Sequence, residues 1–174
     1  MINVGINGFG RIGRLAARIL LHSQSARLVM INATGDRQAL AHLFKYDTAQ
    51  GRLHSDVHID GDHLVVDGKR IFIASDRDPA KLPWGDHGVD VVLECTGAFL
   101  NTEKAMPHIN SGGAKKVVIS APAKGEVDAT IVLGVNDNLL KPDMQVISCA
   151  SCTTNCLAPV AKVLNDEFDI NSAF

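Results

Sequence analysis

The chain lacks the features that mark membrane-spanning, secreted and nucleic-acid-binding proteins. Its 174 residues carry a formal net charge of −2, which gives no reason to expect a nucleic-acid partner or an anionic membrane surface. No apolar run approaches the roughly 18 residues that a membrane span needs. The first apolar stretch is interrupted by glycines, unlike that of a signal peptide. We therefore expect a cytoplasmic protein with no nucleic-acid or membrane partner.

Cysteine is also scarce, and it is unevenly placed. Three of the 4 cysteines fall within residues 149–156, a crowding that does not resemble a disulfide framework. A C-x-x-C pair can begin a zinc site, but a structural zinc site needs a fourth ligand. Cys95 and His108 are the only further candidates, and neither has a ligand-like spacing. We expect no metal.

Strand-like and helix-like segments alternate along the chain. This alternation predicts βαβ units and a mainly parallel sheet. Within residues 51–73 the pattern changes to short strands divided by Asp-Gly turns, which are typical of antiparallel hairpins. We therefore expect an α/β fold with a doubly wound, mainly parallel sheet and a small antiparallel hairpin excursion near 51–73.

A glycine motif follows the first predicted strand, Ile2–Ile6. Gly8, Gly10 and Gly13 form G-x-G-x-x-G, and a predicted helix continues from there to His22. In a dinucleotide-binding unit the three glycines allow a tight turn, a close approach of pyrophosphate and close packing of helix on strand. As a bare pattern the motif is equally typical of an ordinary tight turn. Its place between a strand and a helix favours dinucleotide binding and a Rossmann-type fold.

Cys152 lies between a predicted strand, Met144–Ile147, and a predicted helix, Leu157–Phe168. The residues around it are Ser, Thr and Asn, which favour the start of a helix over its interior. A thiol at that place faces unpaired backbone N–H groups and the positive end of the helix dipole, both of which favour the thiolate. Cys152 is therefore the predicted nucleophile.

Several runs have a distinctive order: Ile6–Arg14, His42–Asp47, Leu82–Trp84, Glu94–Gly97, Lys115–Pro122, Gly134–Asn136 and Ala150–Pro159. Together they resemble the N-terminal half of phosphorylating glyceraldehyde-3-phosphate dehydrogenase, and the similarity runs along the whole chain. The resemblance implies an NAD(P)-dependent enzyme that is a homotetramer at full length. Its substrates would be glyceraldehyde 3-phosphate and inorganic phosphate.

The resemblance also implies roles for individual residues. Cys152 would attack the aldehyde to form a hemithioacetal, and hydride transfer to the nicotinamide would leave a thioester that phosphate cleaves. Ser151 and Thr153 would lie beside the substrate. The dinucleotide would be bound by Asn7, Gly8, Gly10, Arg11, Ile12, Arg77, Thr96, Gly97 and Ser120.

One departure from the family pattern concerns the choice of dinucleotide. NAD-using members commonly carry Asp after the equivalent of Asn32, and this chain has Ala33 there. Loss of that carboxylate removes repulsion against a 2′-phosphate, which Thr34 and Arg37 would then bind. We predict that NADP is accepted beside NAD. The alternative is that Asp36 takes the ribose and NAD remains the cofactor.

The resemblance further implies a general-base histidine that lies after the strand following this last helix, beyond Phe174. We therefore expect the 174-residue chain to bind dinucleotide without turnover. The expected organisation is a dinucleotide-binding domain over 1–150 and, over 151–174, a catalytic-cysteine helix that begins a substrate domain. Two alternatives stay open, namely an erythrose-4-phosphate dehydrogenase and a non-catalytic dinucleotide-binding module.

Overall fold

The computed structural model describes residues 1–172 and shows a nine-stranded sheet, a separate two-stranded sheet and five α-helices. The strands are β1 (Ile2–Asn7), β2 (Ala26–Asn32), β3 (Tyr46–Asp47), β4 (Gly51–Arg52), β5 (Val57–Asp60), β6 (His63–Val66), β7 (Lys69–Ala74), β8 (Val91–Glu94), β9 (Lys116–Ile119), β10 (Ala129–Thr130) and β11 (Val146–Ser148). The helices are α1 (Arg11–Leu21), α2 (Arg37–Lys45), α3 (Thr102–Ala105), α4 (Pro107–Asn110) and α5 (Cys152–Phe168), with 3₁₀ turns at Pro79–Lys81 and Asp137–Leu139.

The large sheet has the order β10-β11-β9-β8-β1-β2-β7-β6-β5. The pairs from β10 to β7 are parallel, and the chain leaves β1 for β2 on one side and later returns to β8 on the other. A crevice therefore opens at the carboxyl ends of β1 and β8, where ligands bind in sheets of this type. The Rossmann-type, mainly parallel fold expected from the sequence is confirmed.

The hairpin region joins the large sheet. β5, β6 and β7 pair antiparallel through the predicted Asp-Gly turns, and Asp67 adopts φ 47 beside Gly68 at φ 78. β7 also pairs in parallel with β2, so the hairpins extend one edge of the sheet. The two-residue strands β3 and β4 form the separate sheet, and such short strands leave no periodicity in a sequence.

Two helices differ from the sequence expectation. The segment near 102–109 is two short helices, α3 and α4, because Pro107 at the start of α4 has no N–H to continue the first. α5 extends beyond the apolar segment Leu157–Phe168 and begins at Cys152, where the Ser, Thr and Asn residues favour a helix start. Ser151 provides its N-cap, since its side chain accepts a hydrogen bond from the amide of Thr154 (2.8 Å).

Two apolar clusters cover the two faces of the large sheet. One joins α1 and α2 to the sheet around Ile6, Ile31 and Phe44. The other packs around Met30, Trp84 and further side chains from β8, β9 and the α3–α4 segment. Alternate residues of a strand point to opposite faces, which explains why Met30 and Ile31 enter different clusters. α5 contributes no buried residue to either cluster.

Candidate dinucleotide and thiol site

The glycine turn between β1 and α1 leaves no room for a Cβ atom at Gly8 or Gly13 but has free space at Gly10. Gly8 adopts φ +92, and a Cβ there would lie 2.8 Å from Thr96 Cγ2. A Cβ on Gly13 would collide with the carbonyl oxygen of Gly8. A Cβ on Gly10 would meet no atom within 4 Å, so this glycine faces open space directly before α1. This is the geometry that a pyrophosphate cradle requires.

A cavity of about 390 Å³ lies beside the turn. Its walls come from the ends of β1, β2, β7 and β8, which places it at the crevice described above. Six of the residues that line it are Gly8, Asn32, Ala33, Thr34, Arg77 and Thr96. Four of the predicted dinucleotide residues beyond the turn therefore share one cavity: Ala33, Thr34, Arg77 and Thr96.

The two other residues considered for the ribose lie outside this cavity lining. Asp36 caps α2, and its Oδ1 accepts a hydrogen bond from the amide of Ala39 (2.8 Å). Arg37 forms an ion pair with Asp62. Ala33 and Thr34 therefore remain as the residues that face the cavity where a 2′-substituent is expected.

A buried polar network supports the cavity, and the sequence reasoning missed it. Glu94 and His108 are 1% and 0% exposed, and Asn7 Nδ2 donates to Glu94 Oε2 (2.6 Å). The Thr96 amide donates to Glu94 Oε1 (2.8 Å), and the Thr96 hydroxyl donates to the same oxygen. The only sequence hint was an acidic residue at the end of an apolar strand.

The nucleophile segment lies at the same edge of the sheet. The carboxyl ends of β1, β8, β9 and β11 are in register, because Asn7 pairs with Glu94, Glu94 with Ile119 and Ile119 with Ser148. One predicted site segment follows each of these four ends. The structure thus brings the glycine turn, Thr96, Ser120 and the Cys152 segment to one edge.

Cys152 itself is exposed at the first position of α5. The residue that precedes the cap, Ala150, is buried and adopts φ 59, a left-handed conformation unusual for a side-chain-bearing residue. Asn155 holds the turn, because its side-chain amide donates to the carbonyls of Cys149 (2.7 Å) and Ser151 (2.9 Å). The helix start that the sequence predicted is thus present, with the thiol at its tip.

The remaining predicted residues are placed at the same edge. Arg11 and Ile12 open α1 and are exposed, and Gly97 adopts φ +75 after β8. The Ser120 hydroxyl donates to the Glu94 carbonyl (3.0 Å). Thr153 is the exposed second residue of α5, and Ser151 lines a further cavity of about 680 Å³.

Two of the other three thiols, Cys95 and Cys149, have raised pKa values. Burial raises the pKa of Cys95 to about 11, and burial also raises the pKa of Cys149. Within residues 1–172, no group of three or more His, Cys, Asp or Glu is arranged to hold a metal ion. Over the same part of the chain, no helix has both the length and the apolar character to cross a membrane.

Comparison with known proteins agrees with this geometry. Residues 2–102 match the family model described as "Glyceraldehyde 3-phosphate dehydrogenase, NAD binding domain", and residues 151–174 match the C-terminal domain of the same family. Glyceraldehyde-3-phosphate dehydrogenase of Clostridium acetobutylicum is 54% identical over 174 residues, which are 100% of this chain and 52% of that protein. That of Geobacillus stearothermophilus is 53% identical over 170 residues, 97% of this chain and 50% of the relative.

The chain therefore spans about half the length of the curated relatives that it matches. The match extends over the glycine turn, the cavity-lining strand ends and the Cys152 segment. On the family match and on the identity to these relatives, the chain belongs to the glyceraldehyde-3-phosphate dehydrogenase family.

Proposed function

We propose that this chain binds NAD or NADP in the crevice between β1 and β8 and carries Cys152 as the nucleophile of a phosphorylating glyceraldehyde-3-phosphate dehydrogenase. The observation that carries the proposal is the common edge of the sheet. The glycine turn follows β1 and the Cys152 segment follows β11, and the ends of both strands are in register. A nicotinamide bound along that edge would reach toward the thiol.

The residues at the turn fit a dinucleotide. The open space at Gly10 is the volume that a Cβ would fill and a pyrophosphate requires. No side chain caps the start of α1, so the amides of Arg11 and Ile12 are available to phosphate oxygens. Asn7, Gly8, Thr96, Gly97, Arg77 and Ser120 complete the set of residues that would hold the cofactor.

The chain's own chemistry centres on Cys152. A bound dinucleotide supplies the acceptor for hydride. The Cys152 thiolate adds to the aldehyde carbon of glyceraldehyde 3-phosphate, and the carbonyl electron pair moves to oxygen, which takes a proton. The carbon then loses hydride to that acceptor and its oxygen loses the proton to water, which leaves a thioester on Cys152. A phosphate oxygen attacks it, the C–S bond breaks, the thiolate returns, and an acyl phosphate leaves. Ser151 and Thr153 would lie beside the substrate.

The organisation of the chain belongs to the same proposal. We assign 1–150 to a dinucleotide-binding domain and 151–174 to the start of a substrate domain, and the absence of buried residues in α5 supports this division. The full-length protein would be a homotetramer, as the family resemblance implies. A cytoplasmic location is consistent with four free thiols among the described residues.

Calorimetric titration of the purified chain with NAD and, separately, with NADP tests the proposal. We expect both to bind. We expect no oxidation of glyceraldehyde 3-phosphate, because no hydrogen bond joins the Cys152 thiol to a histidine in residues 1–172. Cys152→Ser should bind both dinucleotides unchanged and lose rapid alkylation by iodoacetamide. Failure of the wild-type chain to bind either dinucleotide would refute the proposal.

A further inference from the structure

The buried polar network around Glu94 includes two residues, Glu94 and His108, to which the proposed function assigns no role. Glu94 is the only acidic side chain buried within residues 1–172, and burying a carboxylate is costly unless it is fully hydrogen-bonded. It ends β8, the strand beside β1, and lies two residues before Thr96 at the crevice. This buried acidic side chain therefore lies at the edge of the sheet where the dinucleotide is proposed to bind.

Four hydrogen bonds are made to the two side-chain oxygens of Glu94, two to each oxygen. Thr96 donates twice to Oε1, through its amide and its hydroxyl. Asn7 Nδ2 and His108 Nε2 meet Oε2 at 2.6 and 3.2 Å. The Thr96 amide at Oε1 and the Asn7 Nδ2 group at Oε2 can only donate, so a Gln amide group at this position would face a donor with a donor in either orientation.

His108 and Trp84 fix the far side of the network. The indole Nε1–H of Trp84 can only donate, and it lies 3.0 Å from His108 Nδ1. His108 Nδ1 is therefore the acceptor and its Nε2 carries the proton that is donated to Glu94. Trp84 and His108 are both 0% exposed, so the imidazole has one orientation and one tautomer.

The near side of the network forms the wall of the 390 Å³ cavity. Asn7 and Thr96 both line that cavity. Asn7 Oδ1 accepts from Asn32 Nδ2 (2.7 Å), and Asn32 in turn bonds both backbone groups of Asp76, at 2.8 and 3.0 Å. One carboxylate thus ties together the ends of β1, β2, β7 and β8.

We propose that Glu94, held by His108 and Trp84, is a positioning residue that pre-organises the cavity for the adenosine and diphosphate half of a dinucleotide. The inference rests on the proposed function, because it assigns a role to residues that never touch the reacting atoms. It places the contribution of the network in binding. None of its members lies in the Cys152 segment, so the expected effect is on the binding of the adenosine and diphosphate half.

Calorimetry with ADP-ribose and NAD tests the proposal on Glu94→Gln and on a matched control, Glu103→Gln. Glu103 is exposed in α3, so the same chemical change there leaves the network intact. We expect Glu94→Gln to weaken ADP-ribose and NAD by the same factor, about tenfold or more, because one amide group must face two donors. The control should bind both as wild type does.

A spectroscopic readout separates positioning from general destabilisation. Trp84 is the single Trp of the chain, so its fluorescence reports the far end of the network. We expect its emission to change in Glu94→Gln and to stay unchanged in Glu103→Gln. We also expect the Thr96 amide of the unliganded wild type to exchange its hydrogen slowly, because its partner is in place before ligand arrives.

Each outcome decides the matter. A folded Glu94→Gln with wild-type affinity for ADP-ribose overturns the positioning role and leaves the proposed function standing. Should Glu94→Gln fail to fold, the wild-type exchange measurement decides, and a freely exchanging Thr96 amide overturns the proposal. A wild-type chain that binds neither ADP-ribose nor NAD removes the positioning role and the proposed function together.

Discussion

Ala33 and Thr34 line the cavity where the 2′-oxygen of the adenosine ribose is expected, and Asp76 and Arg77, which follow β7, line the same cavity. At the scale of single residues, we predict that this position sets the preference between NAD and NADP. Arg37, which the sequence suggested as a partner for a 2′-phosphate, is already paired with Asp62. Of Ala33, Thr34 and Arg37, Thr34 is the polar residue that lines the cavity.

Ala33→Asp should restore discrimination against NADP. A carboxylate placed there repels a 2′-phosphate and accepts hydrogen bonds from a ribose, so we expect NADP to weaken by about tenfold or more while NAD is retained. Calorimetric titration with both dinucleotides measures the ratio. Arg37→Ala is the companion variant. Unchanged NADP affinity is expected from its pairing with Asp62, and a clear loss would show that Arg37 turns to the phosphate.

The four thiols should separate by their reactivity toward iodoacetamide. Cys152 is exposed at a helix start, whereas burial raises the pKa of Cys95 to about 11. Cys95 should therefore label slowly at pH 8 and accelerate only as the pH approaches 11, because the thiolate is the reactive form. Peptide mapping of the alkylated protein measures this order. Labelling of Cys95 before Cys152 at pH 8 would contradict it.

The raised pKa of the Cys95 thiol also sets the sign of the change in folding stability with pH. The unfolded chain releases the Cys95 proton near the ordinary value of 9.0, while the folded chain holds it until about 11. Stability therefore falls as the pH rises through that window, because the unfolded state binds fewer protons. We expect the free energy of unfolding, measured with urea at several pH values, to fall more steeply with pH in the wild type than in Cys95→Ala within that window. Equal slopes would contradict the buried assignment.

At the scale of elements, the turn between β1 and α1 uses its three glycines in different ways. Gly8 and Gly13 are confined by Thr96 and by the turn's own backbone, whereas Gly10 faces open space. Folding of the turn therefore requires glycine at the first two positions, and we expect ligand binding to require it at the third. The difference is visible only in the structure, since the motif treats all three alike.

We therefore expect Gly13→Ala to lower stability and binding together and Gly10→Ala to lower binding alone. A Cβ on Gly13 collides with Gly8, so we expect a loss of stability of about 1–3 kcal/mol and weakened binding together. A Cβ on Gly10 meets nothing, so stability should change by less than about 1 kcal/mol while dinucleotide binding falls sharply. Urea unfolding and calorimetry on both variants measure this. Unimpaired NAD binding by Gly10→Ala would mean that the pyrophosphate lies elsewhere.

The regular elements near the site were largely predictable from the sequence. β1, α1, β2, α2 and the hairpins follow the expected pattern because apolar periodicity and Asp-Gly turns are local signals. The break at Pro107 and the early start of α5 depend on a cap and a missing donor, which periodicity does not report. The Glu94 network was not predictable, because partners as distant as Asn7 and His108 are brought together only by the fold.

At the scale of the whole molecule, α5 is the element least integrated with the rest. It buries no residue, and its apolar side chains face solvent, with Leu157 64% and Phe168 77% exposed. Val160 and Val163 are exposed on the same helix. Exposed apolar groups gathered on one helix favour association.

The purified chain should therefore associate as its concentration rises, through α5. Val160→Glu combined with Val163→Lys should lower this association without unfolding the sheet, because neither residue enters a core cluster. Ile19→Glu is the control, since Ile19 is equally exposed but lies on α1. Sedimentation velocity across a concentration series measures the effect. A wild-type chain that remains monomeric throughout would contradict the prediction.

The central place of β1 in the sheet has a consequence for synthesis. A nascent chain leaves the ribosome N-terminus first, at about 5–20 residues per second, so β1 waits roughly ten seconds before its second neighbour, β8, has been made. During that interval one inner edge of β1 stays unpaired and open to nascent-chain chaperones. Cys152 emerges later still, when every strand of the dinucleotide edge has been translated. The Cys152 thiol thus leaves the ribosome only after the strands whose carboxyl ends form that edge.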